Sequence, residues 1–245
     1  MFVALICCVL SLGGDPTQCL SLGDAAFARI AYPEAIENFQ QGLQIAPDNT
    51  DLLWRLARVT VCMAEVEEDA AKRRALLQQA EDAARRCIAV DSTRAEGHAW
   101  LAGALGYRAL DAGLSEQVKI SQEIMAETAI AIRLDQENDE ALSIRGSFFR
   151  ALGNVGWVKR QLAALLLGSV PDGGFVEGEA ALKAAIRIAP DIMRHWYELG
   201  VLYIDWGKKE EARHALREAL SKEIRTAIDR PRKEKALKLL RELEE

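Results

Sequence analysis

Turn-forming and aromatic residues are scarce in this chain. It carries 6 Pro and 17 Gly among 245 residues, and 6% of its residues are aromatic. This composition leaves little room for the many tight turns that join short strands in an all-β protein. Ala, Leu, Glu and Arg, which favour helices, recur along the whole chain instead. We therefore expect an all-α fold.

A surplus of basic residues is missing as well. The chain has 31 Lys and Arg against 37 Asp and Glu, which gives a formal net charge of −6. The two signs are interleaved along the sequence, and no basic stripe is visible. Nucleic-acid phosphates require such a stripe, so we expect no nucleic-acid partner.

Cysteine and histidine are too few and too scattered for a disulfide framework or a zinc site. The five Cys and three His include no Cys-x-x-Cys and no His-x-x-x-His spacing. Cys62 and Cys87 fall on successive predicted helices, offset by roughly 18 Å along the axis. A disulfide requires Cα atoms within about 7 Å. We expect Cys19, Cys62 and Cys87 to be buried as small apolar residues.

Catalytic motifs are also lacking. The sequence has no Gly-rich phosphate loop, no nucleophile elbow and no pair of acidic residues placed for catalysis. We therefore predict a non-catalytic protein that uses no cofactor and no metal ion.

The first residues form a short apolar segment. Residues 2–12 are uncharged and apolar over about a dozen positions, whereas a membrane-spanning helix needs roughly 20. This length is typical of a signal-peptide core, so we treat residues 1–14 as a candidate signal and expect an exported protein. The alternative is an apolar helix that packs on the first repeat of a cytoplasmic protein. Beyond this segment, we expect no membrane contact.

An internal repeat is plainest near the C-terminus. Its spacing is that of the tetratricopeptide repeat, two antiparallel helices in which small residues occupy the helix crossing. Large residues fill the groove between neighbouring repeats. The matching positions are Trp196, Leu199, Gly200 and Tyr203 in the first helix, then Ala212, Leu216 and Ala219 in the second.

Four earlier units carry the same pattern. Their closing phrases are similar, and the positions Pro47, Ser92, Gln136 and Pro190 lie 45, 44 and 54 residues apart. These intervals exceed the standard 34 residues, so the extra residues must lengthen helices or turns. The repeat positions in these units are Gly23, Ala35, Phe39, Trp54, Ala80, Trp100, Tyr107 and Gly146.

The phased units predict one repeat domain over residues 15–245. We expect an all-α solenoid of about five helical hairpins, with units at 16–49, 50–92, 96–136, 138–190 and 192–222. Asp229 and Pro231 are typical of an N-cap and a first-turn proline, and they predict a capping helix over 229–243. The long fourth unit contains an insert with an amphipathic helix from Trp157 to Leu167, which we expect to pack into that unit.

Three stretches resemble a more specific family. Residues 52–59 (LLWRLARV), 97–109 (GHAWLAGALGYRA) and the insert at 156–171 (GWVKRQLAALLLGSVP) are similar to the regulator of microtubule dynamics proteins and their bacterial homologues. The resemblance covers roughly residues 15–243. It implies a right-handed superhelical array of helical hairpins used for binding. A more distant likeness is to the extracytoplasmic repeat component of TRAP solute transporters.

The inner surface of such an array predicts where a partner binds. The positions one, five and eight residues after the Trp or Leu anchor of each first helix point to the concave face. Three arginines among them could hold a carboxylate or phosphate of a peptide. The alternative is that they are solvated or paired with acids such as Asp111 or Glu140. These positions are Arg55, Cys62, Leu101, Leu105, Arg108, Ser143, Arg150, Tyr197, Val201 and Ile204.

The sequence thus favours a non-catalytic scaffold that binds a protein or peptide. Arg55, Arg108, Arg150 and Tyr197 are the predicted partner contacts, while Trp54, Trp100, Trp157 and Trp196 are expected in the core. The competing hypothesis is an extracytoplasmic accessory component of solute transport that holds a small ligand.

Overall fold

Eleven helices and no strands make up the described part of the chain. The computed structural model describes residues 15–156 and 172–245. The helices are α1 Pro16–Ala28, α2 Tyr32–Ile45, α3 Thr50–Ala64, α4 Ala70–Val90, α5 Ala95–Leu110, α6 Leu114–Leu134, α7 Asp139–Gly153, α8 Phe175–Ile188, α9 Met193–Asp205, α10 Lys209–Ser221 and α11 Asp229–Glu244.

The helices pair in chain order into five hairpins. α1 packs on α2, α3 on α4, α5 on α6, α7 on α8 and α9 on α10, and each hairpin also packs on the next. This arrangement is a helical-repeat solenoid, as the phased units predict. α11 follows the fifth hairpin and packs on α9 and α10.

The short sequence segments that end one hairpin also cap the first helix of the next hairpin. Asn49 and Asn138 follow the end of one hairpin, and their side chains accept hydrogen bonds from the amides of Leu52 (3.1 Å) and Ala141 (2.8 Å). Each asparagine therefore caps the first helix of the next hairpin. A single short phrase fixes the chain reversal at these boundaries.

Small residues lie where paired helices cross. A Cβ atom built on Gly146 would lie 2.5 Å from Cγ of Leu182, and one on Gly200 would lie 2.8 Å from Leu216. The backbones of these helices are therefore too close for a larger residue. Ala212 and Ala219 of α10 are fully buried in the same way. The small residues of the repeat pattern therefore allow the two helices of a hairpin to pack closely.

The C-terminal helix covers the last hairpin. Ala236, Leu240 and Leu243 of α11 are buried and join the apolar cluster formed by the fifth hairpin. The predicted role of Asp229 is wrong, because the residue before the helix is Ile228 and makes no side-chain cap. Asp229 instead accepts hydrogen bonds from the amides of Arg225 (2.9 Å) and Thr226 (2.8 Å), which precede the helix.

Cys19, Cys62 and Cys87 are buried as free thiols, as expected. The predictions for residues 1–14 and for the insert helix with Trp157 lie outside the described residues.

Candidate functional site

A cavity of about 460 Å³ opens on the inner side of the array. Its walls come mainly from the first helices of the second to fifth hairpins, namely α3, α5, α7 and α9, with α6 closing one side. We call the surface formed by these first helices the concave groove. Much of the cavity lining is apolar, including Trp100, Ile124, Ile144, Phe148 and Leu152.

Three arginines from different helices line this cavity. Arg150 of α7 pairs with Asp205 at 3.0 Å, measured from Nη1 to Oδ2. Arg194 of α9 pairs with Glu140. Arg232 of α11 makes a third pair, with Glu65. Each guanidinium is thus held in place by a carboxylate of the same chain.

Two of these arginines have a buried donor atom without a partner among the described residues. The Nε atoms of Arg150 and Arg194 are buried, and neither has a hydrogen-bond partner within residues 15–156 and 172–245. Glu198 lies beside them, accepting from Ser147 Oγ at 3.1 Å and lying 3.7 Å from Arg150 Nη2. A guest with carbonyl or carboxylate oxygens and an apolar side chain would fit both parts of this lining.

The predicted contact arginines do not meet at one place. Arg55 pairs with Asp24 (2.8 Å) and Asp51 (3.1 Å), and it does not line the cavity. Arg108 pairs with Glu81 and with Glu116 (2.9 Å) on another surface.

Arg150 is the one of the three predicted arginines that lines the cavity. Tyr197 is half-buried beside Leu199 and the other residues of the fifth hairpin. Its pKa is raised by burial and by Glu198, while Arg232 and Arg150 oppose the shift. Tyr197 therefore lies close to two of the three cavity arginines.

Several predicted concave positions are closed to solvent. Cys62, Leu101 and Leu105 are each less than 5% exposed, and Ser143 is 2% exposed. Cys62 and the two leucines belong to the large apolar cluster of the first three hairpins. Ala227, which lies just before α11, packs against the same cluster.

A segment near the C-terminus packs against this cluster. We call residues 225–232 the clasp, because they join the end of the chain to its first hairpins. The amide of Ala227 donates to the Tyr32 hydroxyl at 2.9 Å, and Arg232 Nη2 lies 3.2 Å from Glu65 Oε1. Tyr107 donates its hydroxyl proton to the same Glu65 oxygen.

The clasp contacts are well buried. The side chains of Arg232 and Glu65 are 9% and 3% exposed. Burial alone would lower the pKa of Arg232, but Glu65, Tyr107 and other neighbours hold that pKa above its ordinary value. Burial and the nearby Glu65 also raise the pKa of Tyr107 well above its usual range. Arg232 therefore stays charged and Tyr107 stays a donor.

Sequence reasoning did not find Glu65, Arg194 or Arg232. Glu65 and Arg232 are 167 positions apart, so no local spacing connects them. Arg194 lies two residues before the repeat anchor Trp196, outside the positions assigned to the concave face.

The repeat tryptophans occupy different depths. Trp100 is 4% exposed, whereas Trp54 and Trp196 are half-buried. The guanidinium of Arg55 lies 4.2 Å from the Trp54 ring, and Lys222 lies 5.3 Å from the Trp196 ring. These rings thus pack on one side and carry a cation on the other.

The described residues offer neither a metal-binding cluster nor a membrane-spanning helix. No group of three or more His, Cys, Asp or Glu side chains is placed to hold a metal ion within 15–156 and 172–245. None of the helices in these same ranges combines the length and hydropathy needed to cross a bilayer.

The five hairpins and their inner cavity define a helical-repeat protein of the tetratricopeptide class. A structure of a tetratricopeptide-repeat protein from Thermus thermophilus matches with a TM-score of 0.67 and 21% identity, over 91% of this chain and 99% of that chain. At this identity the likeness establishes the fold. A family model described as Regulator of microtubule dynamics protein 1-3 matches residues 24–244. The chain therefore belongs to that family.

Individual relatives agree with this assignment. The chain is 27% identical over 175 residues to regulator of microtubule dynamics protein 3 of Bos taurus, covering 69% of this chain and 36% of the relative. It is 20% identical over 203 residues to protein 1 of Caenorhabditis elegans, covering 83% of this chain and 89% of the relative. The chain thus spans well under half of the length of the bovine relative.

Proposed function

We propose that this protein is a non-catalytic scaffold whose concave cavity binds a segment of a protein partner. The cavity of about 460 Å³, with its apolar walls and cationic side, is the observation that carries the proposal. Ligand sites commonly combine an apolar lining with a few placed polar groups. Solenoids, moreover, present their concave surfaces for binding.

The arginines suggest the chemistry of the guest. Arg150 and Arg194 hold buried Nε donors without an acceptor in the described part of the chain. Both arginines line the cavity, where a peptide carbonyl or an acidic side chain would complement their charge, and a neighbouring apolar side chain would cover Phe148 and Ile144. We therefore propose that the bound segment pairs an apolar anchor with oxygen acceptors.

Arg55, Arg108 and Tyr197 enter the proposal as secondary contacts. Each of the two arginines is already paired, so a partner would have to share it with the chain's own carboxylates. Changing Arg55, Arg108 and Arg150 together to Glu tests their contribution. We expect lost binding, and unchanged binding would remove these residues from the site.

A glycine in the cavity wall permits a direct test. Gly106 lines the cavity, and a Cβ atom at this position would have no atom within 4 Å. Gly106→Leu therefore places a side chain in the cavity with room at its Cβ atom, while Gly106→Ala adds a single methyl group. Peptides selected from a displayed library against the unaltered protein provide the probe, and fluorescence polarisation gives their affinities.

We expect Gly106→Leu to weaken peptide binding at least tenfold and Gly106→Ala to change it less than twofold. The same peptide affinity in all three proteins would place binding outside the cavity and contradict the proposal.

The names of the relatives suggest a role in microtubule dynamics. Acidic tubulin tails would favour a basic surface, whereas this chain has a net charge of −6. We therefore propose a partner of another kind. Co-sedimentation with assembled microtubules tests this point, and saturable co-sedimentation would reverse it.

A small ligand is the second candidate occupant, because the same apolar cavity is of suitable size for one. Together, the cavity and the apolar run at residues 2–12 support an extracytoplasmic accessory role in solute transport. A thermal-shift screen with organic acids and lipids separates the candidates, since a specific ligand raises the melting temperature. Mass spectrometry of the native N-terminus tests export.

A further inference from the structure

A segment near the C-terminus lies against the part of the concave groove that α3 and α5 form. The repeat spacing predicts that Cys62, Leu101 and Leu105 face that groove, yet each side chain is less than 5% exposed. The clasp, residues 225–232, lies against the same part of the molecule through Ala227 and Arg232.

Two hydrogen-bonded contacts hold the clasp in place. Tyr32, 3% exposed at the start of α2, accepts from the amide of Ala227 at 2.9 Å. Glu65, directly after α3, accepts from Arg232 at 3.2 Å and from Tyr107 at the end of α5. The clasp therefore contacts the first and second hairpins, and Tyr107 links the third hairpin to the same Glu65 oxygen.

The clasp is also ordered within itself. Asp229, which is 4% exposed, accepts hydrogen bonds from the amides of Arg225 and Thr226 and lies 3.7 Å from Arg232. These bonds make residues 225–229 a tight turn that presents the Ala227 amide to Tyr32. Arg232 follows one helical turn later and lines the cavity.

We propose that the clasp is an autoinhibitory contact, which must open before a protein partner can use the part of the concave groove that α3 and α5 form. This inference rests on the proposed scaffold function and adds a control step to it. Because Arg232 belongs to both the clasp and the cavity wall, opening the clasp also removes one cationic wall of the cavity. Partner binding and clasp opening are therefore linked, and a partner that takes the groove must outcompete Ala227 and Arg232.

The chain contains its own reporter of clasp opening. Cys62 lies in α3, one turn before Glu65, and it is 4% exposed. Burial raises the pKa of its thiol to about 12, and Arg232 is among the charges that oppose this shift. Clasp opening would expose the thiol to solvent and make it reactive.

Cys87 serves as the internal control. Its sulfur lies 3.7 Å from the Thr50 carbonyl, and its side chain faces Gly97 of the next hairpin, in the packing between the second and third hairpins. Cys87 therefore becomes reactive only when these hairpins separate.

The test measures N-ethylmaleimide labelling of each cysteine by peptide mass spectrometry in increasing, sub-denaturing urea. We expect the labelling rate of Cys62 in the unaltered protein to depend weakly on urea, because clasp opening exposes little surface. The rate for Cys87 should rise steeply. An equally steep rise for Cys62 would mean that the clasp has no separate opening and would overturn the proposal.

Variants of α11 provide the second arm. Arg232→Gln should speed Cys62 labelling without urea at least tenfold, whereas Lys238→Gln should leave it within twofold. Lys238 lies on the same helix with its side chain 79% exposed. An unchanged Cys62 rate in Arg232→Gln also overturns the proposal, and if this variant does not fold, the urea comparison still decides. No partner is needed, so a failure here leaves the cavity-binding function intact.

Discussion

Among single residues, two glycines inside helices have opposite surroundings. Gly23 of α1 lies directly against the fully buried ring of Phe39, and a Cβ atom there would overlap the ring. Gly106 of α5 has open space in the same direction. The first glycine is required by packing, and the second is not.

This contrast predicts stability changes of opposite sign. Gly23→Ala should lower the free energy of unfolding by about 1–3 kcal/mol, as overpacking does. Gly106→Ala should raise it by up to about 1 kcal/mol, because alanine favours the helix. Urea denaturation followed by circular dichroism measures both, and equal effects from the two substitutions would contradict the packing argument.

Two buried histidines respond to pH in opposite directions. The Glu127 carboxylate, 2.5 Å from His98 Nδ1, raises the pKa of His98, and the Ser92 carbonyl accepts at the other ring nitrogen. Burial lowers the pKa of His195, although Asp139 at 2.8 Å opposes this shift. His98 is therefore favoured in its charged form and His195 in its neutral form.

The sign of each stability contribution follows from linkage. The stabilisation from His98 is fully present below its unfolded pKa of about 6.5 and is lost as pH rises through its folded pKa. Below about pH 6.5 His195 is protonated more readily in the unfolded chain than in the folded chain. The contribution of His195 to the free energy of unfolding therefore falls with acidification.

His98→Gln should therefore cost about 1 kcal/mol more at pH 5.5 than at pH 8, as expected for the loss of a hydrogen bond to a charged group. His195→Gln should cost less at pH 5.5 than at pH 8. Urea titrations at the two pH values measure both differences, and the same pH trend for both variants would refute the assignment.

At the scale of elements, α11 uses one face to cover the last hairpin. Leu240 is 8% exposed on that face, whereas Leu237 on the same helix is 45% exposed. Leu240→Ala should lower the free energy of unfolding by about 2–3 kcal/mol, and Leu237→Ala should change it by less than about 0.5 kcal/mol. Denaturant unfolding distinguishes the two, and similar losses would show that α11 does not cap through this face.

The hairpins were predictable because their contacts are local in sequence. Gly200 meets Leu216, and Gly146 meets Leu182, within one unit each, so the repeat spacing alone identifies them. In the second unit the extra residues lie in a turn after Glu65 and in the long helix α4. The Asp69 side chain caps this helix by accepting from the amides of Ala71 and Lys72.

The cavity and the clasp were not predictable in this way. The prediction of concave positions treats all units as equal. The closing positions are 45, 44 and 54 residues apart, however, and Arg55 and Arg108 do not lie beside Arg150. Glu65 and Arg232 look like ordinary surface charges in the sequence. Their contact depends on the path of the whole solenoid, which local patterns do not encode.

At the scale of the whole molecule, the clasp adds a long-range contact to a repeat array. Solenoid repeats ordinarily contact only their neighbours, so their stability is nearly a sum of local terms. Here Tyr32 and Glu65 of the first two hairpins contact Ala227 and Arg232 near the C-terminus. The ends of the array are therefore thermodynamically coupled.

A double-mutant cycle measures that coupling. Arg232→Gln alone should lower the free energy of unfolding by about 3–5 kcal/mol, because it leaves Glu65 buried without its cation. Glu65→Gln combined with Arg232→Gln should cost clearly less than the sum of the single changes. Additive losses would mean that the two residues do not interact across the array.

A partner segment bound in the concave cavity would shield the helices that line it. Hydrogen exchange of the full chain, with and without a peptide selected from a displayed library, measures this shielding. We expect slower amide exchange in α5 and α7, whose residues Gly103, Tyr107, Ile144 and Phe148 line the cavity. Protection confined to α2, α4 and α10, which contribute no described residue to that lining, would contradict it.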